Sequence, residues 1–325
     1  MTKNIAIIGA GLSGLTAAHA LKGSATVKLF DKSRGVGGRM STRYAGEYEF
    51  DHGAQYFTAR DPRFQSAVET AIKQGVVAPW DGRAFYLKTD GMTRDTGGDR
   101  FVGVPRMSSW AKVLAERLDI SLGARVSGIS RIDDKWTLAF EDGTEQSGFD
   151  HVICAVPSVQ AIALLPDDFS EMSALKATQM DACFALMVGF EESHDFGWDS
   201  LRTSHGPAAW LAVNSDKPGR AKGHTTLMVH AAPEWSNTHA EADRTWVQTE
   251  MEASASKLCG KDIFAAPHRA LHRWLYASVS ASPTNQAALI DQGSGLAACG
   301  DWCLGGRVEG AYLSGLAAAK AILEF

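Results

Sequence analysis

The start of the chain contains the pattern that most restricts how it can fold. The apolar, partly β-branched segment "NIAII" precedes Gly9-x-Gly11-x-x-Gly14, which leads into small residues and a second apolar segment ending at Asp31. A strand, a glycine-rich turn, a helix and a second strand, with an acid about 20 positions after the glycines, predict a dinucleotide-binding βαβ unit. The fingerprint alone does not distinguish NAD from FAD.

The three glycines have separate predicted roles. Gly9 makes the tight turn, Gly11 lets the backbone approach a pyrophosphate, and Gly14 lets the helix pack closely on the strand. Free N–H groups at the helix N-terminus are expected to bind the phosphates. Asp31 is expected to bind the ribose hydroxyls.

Composition narrows the class of protein. The chain has 325 residues, of which 45% are hydrophobic and 21% charged, and its net charge is −5. At this length a single hydrophobic core usually gives way to two domains, so we predict a globular protein of two parts. The acidic balance gives no general attraction to nucleic acid or anionic membranes, and no apolar stretch approaches the roughly 18 to 20 residues of a membrane span. We expect a cytoplasmic protein with neither as a partner.

The cysteine and histidine spacings do not indicate a metal site. Cys299 and Cys303 are spaced C-x-x-x-C, which matches neither a dithiol redox motif nor a usual zinc spacing. His268 and His272 lie in a strand-like segment, where four residues span about 13 Å. We therefore predict no bound metal.

A second glycine-rich segment resembles a known flavoprotein motif. In "DKSRGVGGRMSTR", Gly37, Gly38, Arg39 and Thr42 match the second fingerprint of the flavin-dependent amine oxidase superfamily. A guanidinium offers paired donors for a diphosphate, so Arg39 is expected to bind that group. A basic surface turn is the alternative, and it suffices for Arg34.

The C-terminal segment resembles the same superfamily. The sequence predicts a strand, a turn at Gly300-Asp301 and a helix beginning near Val308. The resemblance implies that Asp301 binds the ribityl chain and that the backbone N–H of Val308 faces the flavin. Arg307 either assists or has a surface or capping role. Cys303 lies outside the motif that tethers FAD in some relatives, which predicts noncovalent FAD.

The middle of the chain predicts a second domain. From about Ser158 to Pro283 the sequence alternates as strands do, with one helix from about His239 to Leu258. We predict an α/β fold in which a Rossmann-type FAD-binding domain is interleaved with a substrate domain built on a mostly antiparallel sheet, as in p-hydroxybenzoate hydroxylase and amine oxidases. The FAD-binding domain is predicted to contain residues 1–60, 100–157 and 284–325, and the substrate domain residues 61–99 and 158–283.

Three longer segments resemble one group within that superfamily. "DHGAQYFTARDPRF", "HRWLYA" and "CGDWCLGGRVEGAYLSG" are similar to segments of the renalase group, especially its bacterial members. The resemblance implies an oxidase that takes hydride from 2- or 6-dihydro-NAD(P), releases NAD(P)+ and reduces O2 to hydrogen peroxide. It implies a small dinucleotide as substrate and no catalytic group beyond the flavin itself.

Two sets of binding residues are expected. The FAD site is expected to contain Gly9, Gly11, Leu12, Ser13, Gly14, Asp31, Lys32, Gly38, Arg39, Gln55, Tyr56, Val126, Gly300, Asp301, Arg307 and Val308. The substrate site is expected to contain Tyr56, Phe57, Thr58, Ala59, Arg60, His272, Trp274 and Tyr276. The last three share one face of a predicted strand and suit stacking on nicotinamide, although aromatic residues at this spacing are more often core residues.

Two other functions remain open from the sequence. One is an FAD-dependent amine oxidase or dehydrogenase, but amine oxidases of this superfamily usually carry a lysine near the flavin. The four apolar strands of the predicted substrate domain contain no lysine. The other is a non-catalytic redox sensor, which a dedicated substrate domain disfavours. His230, alone on an apolar strand, is expected to be a core histidine.

Overall fold

The strands are described from a computed structural model that covers residues 2–204, 206–282 and 286–324. They are β1 (Lys3–Ile8), β2 (Ala25–Asp31), β3 (Arg43–Ala45), β4 (Tyr48–Phe50), β5 (Val77–Pro79), β6 (Ala84–Lys88), β7 (Gly91–Arg94), β8 (Phe101–Gly103), β9 (Asp119–Leu122), β10 (Val126–Ile132), β11 (Lys135–Phe140), β12 (Glu145–Phe149), β13 (His151–Cys154), β14 (Gln179–Phe190), β15 (Ser200–Thr203), β16 (Ala208–Val213), β17 (Thr225–Ala231), β18 (His268–Ala281), β19 (Leu289–Asp291) and β20 (Leu296–Ala298).

The helices of this part of the chain flank the sheets. They are α1 (Leu12–Leu21), α2 (Pro62–Lys73), α3 (Ser108–Ala115), α4 (Ser158–Leu164), α5 (Met172–Ala177), α6 (Pro233–Thr238), α7 (Arg244–Cys259) and α8 (Val308–Leu323). Short 3-10 turns occupy Gly38–Met40, Asn214–Asp216, Ile263–Ala265 and Asp301–Cys303. None of the helices described is both long enough and apolar enough to span a membrane.

The first sheet has six strands in the order β19-β20-β13-β1-β2-β9. Its strands are parallel except β19. Helices α1 and α8 pack on one face, while α4, α5 and the three-stranded sheet β10-β11-β12 cover the other. A Cβ at Gly14 would lie 2.0 Å from the Gly9 carbonyl oxygen, and one at Gly315 would lie 2.2 Å from the Ser13 carbonyl oxygen. Glycine at these positions therefore allows α1 to approach both the turn and α8.

The second sheet has seven strands in the order β18-β14-β17-β16-β15-β6-β7. All neighbouring pairs are antiparallel except β15 with β6. One face packs against α7, and the other faces the interior of the molecule. Because β6 and β7 join this sheet before the chain returns to the first sheet at β9, the two units are interleaved. The predicted α/β fold class is confirmed.

The domain limits remain a proposal. Helices α4 and α5, placed in the substrate domain from the sequence, pack in the apolar cluster beneath the six-stranded sheet. Helix α2, also placed in the substrate domain from the sequence, packs with Trp110 and Tyr312 of the predicted FAD-binding domain. The limit between residues 283 and 284 lies outside the described residues.

The helix predicted from about His239 to Leu258 is present as α7, but it begins at Arg244 rather than at His239. Pro233 begins the separate helix α6, and the Asp243 carboxylate accepts a hydrogen bond from the Trp246 N–H at the start of α7. Both are typical helix-start signals, so the chain forms two helices with a non-helical connection between them.

Candidate active site

A cavity of about 2070 Å³ lies between the two sheets. Pockets for one drug-sized ligand usually have roughly 300 to 1,000 Å³, so this cavity has room for a dinucleotide and a second ligand. Its lining runs from the turn after β1 to the inner face of the seven-stranded sheet. Every residue predicted for the FAD site lines it except Gly14, which packs α1 against the turn.

The turn after β1 meets the requirements of a bound pyrophosphate. Gly9 has φ +107°, and a Cβ there would lie 2.5 Å from the Ala155 carbonyl oxygen. Gly11 has φ −73°, which any residue adopts, and a Cβ there would meet no protein atom within 4 Å because it would enter the cavity. Helix α1 begins at Leu12, so the N–H groups of its first turn have no intrahelical partner. These features fit the predicted FAD phosphates.

Asp31, at the end of β2, holds the neighbouring loops. Its carboxylate accepts hydrogen bonds of 2.7 Å from the Ala10 N–H and 2.7 Å from the Ser33 N–H. Ala10 lies inside the glycine turn, so one side chain fixes the turn and still lines the cavity. Binding of ribose by Asp31 remains a prediction. Val126, expected in the FAD site, begins β10 and also lines the cavity.

Arg39 and Asp301 come from opposite ends of the chain and form a bidentate ion pair. The Arg39 Nη1 donates to Asp301 Oδ2 at 2.9 Å and to the Ala277 carbonyl oxygen at 3.1 Å. Asp301 is buried, whereas Arg39 is half-buried and lines the cavity. Arg39, predicted to bind the diphosphate, thus contacts Asp301, predicted to bind the ribityl chain. This ion pair fixes the orientation of the guanidinium.

We expect Arg39→Ala to weaken FAD binding by roughly 10- to 100-fold, about the 1.5 to 3 kcal/mol of a hydrogen bond to a charged group. Arg34→Ala is the matched control, because Arg34 is exposed in the same loop and also lines the cavity. It should change the dissociation constant less than about twofold. Titration of apoprotein with FAD, followed by flavin fluorescence, measures both. Equal losses would contradict the assignment of Arg39.

The start of α8 opens onto the cavity near Asp301. Arg307 is exposed at the N-cap without a side-chain capping bond, and Val308 is the first helical residue. Both line the cavity. Cys303 does not line it: the side chain is buried in an apolar cluster, and burial raises the pKa of its thiol. This placement favours noncovalent FAD.

One row of residues crosses the seven-stranded sheet on the side of the cavity. Successive register partners on neighbouring strands define this transverse row, which consists of Tyr86, Arg202, Trp210, His230, Ala185 and His272. Side chains of paired residues point to the same face of a sheet. All members except Ala185 line the cavity. His230, expected in the core, therefore belongs to the cavity wall.

Aromatic and imidazole rings cluster at the His272 end of this row. The rings of His52 and Trp274 stack with centroids 5.0 Å apart, and His272 lies 4.5 Å from Trp274. The Trp274 indole N–H donates to the His52 carbonyl oxygen at 2.9 Å. His230 Nε2 lies 3.2 Å from that same oxygen. Trp274 is therefore held in a fixed orientation beside the cavity.

The other predicted substrate residues divide between the cavity and the core. Thr58 and Arg60 line the cavity together with Tyr56, whereas Phe57 also lines it but is mostly buried against Trp110. Ala59 does not line it. Neighbouring side chains in an extended segment point to opposite sides, so Ala59 packs with the apolar cluster around Phe57.

Strand β18 contributes more to the cavity than the sequence predicted. His272, Trp274 and Tyr276 line it as expected. Arg273 and Leu275, from the opposite face, line it too. Strand β18 lies at the edge of the seven-stranded sheet.

Sequence reasoning missed a buried ionic network beneath the site. The Asp51 carboxylate, fully buried, lies 2.5 Å from Arg220 Nη2 and 3.6 Å from Lys217 Nζ. Lys217 also donates to Gln55 Oε1 at 3.1 Å and Asn214 Oδ1 at 3.0 Å. Burial lowers the pKa of Lys217 to about 8, against the opposing effect of Asp51. Lys217 does not line the cavity, but it fixes Gln55, which does.

Three histidines of the cavity wall are neutral at physiological pH. Burial lowers the pKa of His52, His230 and His272 to about 4 each, and nearby cations such as Arg43 add to the effect at His52 and His272. These three imidazoles therefore add no positive charge to the cavity wall near pH 7.

We expect the free energy of unfolding to decrease as the pH falls from 6.5 to 4. Below pH 6.5 the unfolded chain protonates these histidines while the folded chain does not, so protons favour unfolding. His52 alone should contribute a loss of about 1.6 kcal/mol between pH 6.5 and pH 5. Urea denaturation across this range measures the loss, and His52→Asn should reduce it. An identical pH dependence in the variant would contradict the assignment.

The fold and the cavity fit a protein that binds a dinucleotide. Residues 77–323 match the flavin containing amine oxidoreductase family, and residues 7–70 match NAD(P)-binding Rossmann-like domains. The chain belongs to the flavin containing amine oxidoreductase family, and FAD is its cofactor.

Several solved structures share this fold. A protein from Exiguobacterium sp. 255-15, provisionally described as a protoporphyrinogen oxidase, has a TM-score of 0.80 at 13% identity, covering 100% of this chain and 99% of that chain. Cyclohexylamine oxidase from Brevibacterium oxydans IH-35A has a TM-score of 0.77 at 15% identity, with 100% and 99% covered. Putrescine oxidase bound to putrescine has a TM-score of 0.74 at 14% identity, with 100% of both chains covered. At these identities the likeness concerns the fold.

Proposed function

We propose that the protein oxidises 2- or 6-dihydro-NAD(P) to NAD(P)+ and reduces O2 to hydrogen peroxide. Bound FAD supplies the two-electron acceptor and the reaction with O2. Loss of hydride restores an aromatic pyridinium, so the substrate needs no base to react. The hydride taken from the substrate, together with one proton, reduces O2 to hydrogen peroxide.

The charge of the cavity wall is the observation that carries this proposal. Carboxylates among the described lining residues are Asp31, Glu141 and Asp301, which belong to elements around the first sheet. The substrate end instead presents the guanidinium groups of Arg60 and Arg202. A phosphorylated substrate is attracted to such a wall, whereas the described lining of the main cavity offers an ammonium group no carboxylate at this end.

The side chains facing the substrate end are suited to holding a flat ring. Trp210 and Trp274 offer aromatic surface, and the neighbouring histidines are neutral near pH 7. Holding the reacting groups in place contributes to catalysis without proton transfer. Oxidation of an ammonium substrate, in contrast, first requires removal of a proton.

Lys217 bears on the alternative of an amine oxidase, the activity for which two of the similar structures are named. It lies outside the strands, after β16, and its ammonium is enclosed by Gln55, Asn214 and Asp51. Lys217 does not line the cavity, and this supports the proposal over the amine oxidase alternative. It acts as a positioning residue for Gln55.

Peroxide formation with a panel of reductants tests the proposal. We expect hydrogen peroxide from 2- or 6-dihydro-NAD(P) and none from putrescine or cyclohexylamine. Ordinary 4-dihydro-NAD(P)H serves as the matched control, because it differs from the isomers only in the position of the hydride. Rapid peroxide formation from an amine, with none from the isomers, would contradict the proposal and establish the alternative.

A further inference from the structure

A second cavity of about 290 Å³ adjoins the substrate end. It shares Tyr56, Thr58, Arg60 and Arg202 with the main cavity. The segment after β7 completes its wall, contributing Asp95, Gly97, Gly98, Asp99 and Arg100. This space has no role in the binding of FAD described above.

Arg100 is a buried cation on this wall. It is 8% exposed, and its Nη2 lies 2.7 Å from Asp95 Oδ2. Its guanidinium carbon lies 5.2 Å from the centre of the Tyr56 ring. The Nε of Arg100 is buried without a hydrogen-bond partner among the described residues. A buried donor left unpaired is costly, so this position favours a ligand that accepts hydrogen bonds.

Arg202 contacts Tyr56 at its hydroxyl group. Its Nη2 is 3.3 Å from the Tyr56 hydroxyl, and its guanidinium carbon is 5.2 Å from the centre of the Trp210 ring. Neither Arg202 nor Arg60 forms an ion pair with any carboxylate of the described ranges. Both cations are therefore available to an anion.

The acids of this wall do not cancel that charge. Asp95 is engaged by Arg100, and its Oδ1 accepts a hydrogen bond of 3.0 Å from the Gly97 N–H. Asp99 is exposed. Three guanidinium groups and two acids, one of them ion-paired and the other exposed, thus line this cavity. Guanidinium forks match phosphate oxygens in geometry and charge.

We infer that Arg60, Arg100 and Arg202 bind the diphosphate of the dinucleotide substrate. This inference rests on the proposed function. In the transverse row, Arg202 is the direct neighbour of Trp210, so their strands lie about 5 Å apart. A nicotinamide ring held against Trp210 therefore places its ribose phosphate near Arg202. The second cavity then receives the rest of the diphosphate.

Substrates with and without phosphate test this inference. The experiment measures KM and kcat of the FAD-loaded enzyme for 2- or 6-dihydro-NAD and for the corresponding dihydronicotinamide riboside, which lacks phosphate. We expect Arg202→Gln to raise KM for the dinucleotide by about 10- to 100-fold with little change in kcat, and to raise KM for the riboside much less. Arg94→Gln is the matched control, because Arg94 is exposed on β7 and lines neither cavity.

Inorganic pyrophosphate provides an independent probe. It should compete with the dinucleotide in the native enzyme and lose that effect in Arg202→Gln. Equal KM changes for riboside and dinucleotide, or no change for either, would overturn the diphosphate site while leaving the proposed function intact. If neither the riboside nor the dinucleotide reduces the native enzyme, the proposed function fails, and the diphosphate site fails with it.

Discussion

Gly11→Val is expected to abolish FAD binding while the chain still folds. The backbone at Gly11 has φ −73°, which valine tolerates, and no protein atom lies within 4 Å of the position of its Cβ. That side chain would instead occupy the space into which the first turn of α1 presents its N–H groups. We expect FAD affinity to fall by at least about 100-fold, which corresponds to about 2.7 kcal/mol.

The absorbance of bound flavin in the purified variant measures FAD binding. Circular dichroism and thermal unfolding of the apoprotein show whether the chain still folds. Gly14→Ala is the contrasting variant. A Cβ at Gly14 would lie 2.0 Å from the Gly9 carbonyl oxygen, so that substitution should damage the fold itself. A normal flavin spectrum in Gly11→Val would show that this glycine serves only the turn.

Asp51→Asn is expected to cost about 3 to 5 kcal/mol of unfolding free energy, because it leaves buried cations without their counter-charge. Burial alone would raise the pKa of Asp51, but Lys217 and Arg220 outweigh it and hold the pKa below its usual value. The carboxylate also accepts hydrogen bonds from Thr42 at 2.7 Å and from the Met107 N–H at 3.0 Å. One buried acid thus contacts three other parts of the chain.

Urea denaturation of the holoprotein measures this cost. Asp61→Asn is the matched control: Asp61 pairs with the exposed Arg63 and caps α2, and asparagine caps equally well. Its cost should stay below about 1 kcal/mol. A loss of that small size in Asp51→Asn would show that the network does not stabilise the fold.

The parts of the site that sequence analysis identified are encoded locally. Gly9, Gly11 and Asp31 follow from one strand, one turn and one helix in succession, and Gly300 and Asp301 follow from another strand and helix. Each of these motifs must supply its own backbone geometry within a few residues. Their pattern is therefore readable without knowledge of the rest of the chain.

The transverse row could not be predicted in the same way. Arg202, Trp210 and His230 become neighbours only through the register of three strands, and nothing within any one strand specifies that register. Lys217 was missed for a related reason. It lies in the polar segment "NSDKPGR", which is typical of a surface turn, yet contacts with distant Asp51 and Gln55 bury it fully.

Anaerobic reduction of the bound flavin tests the central claim most directly, because it isolates the reductive step from the reaction with O2. The holoenzyme is mixed without oxygen with 2-dihydro-, 6-dihydro- and 4-dihydro-NAD(P) and with putrescine and cyclohexylamine, and the loss of flavin absorbance is followed. We expect rapid bleaching by the 2- or 6-isomer, slow bleaching by the 4-isomer and none by the amines. Rapid bleaching by an amine, with none by either the 2- or the 6-isomer, would contradict the account.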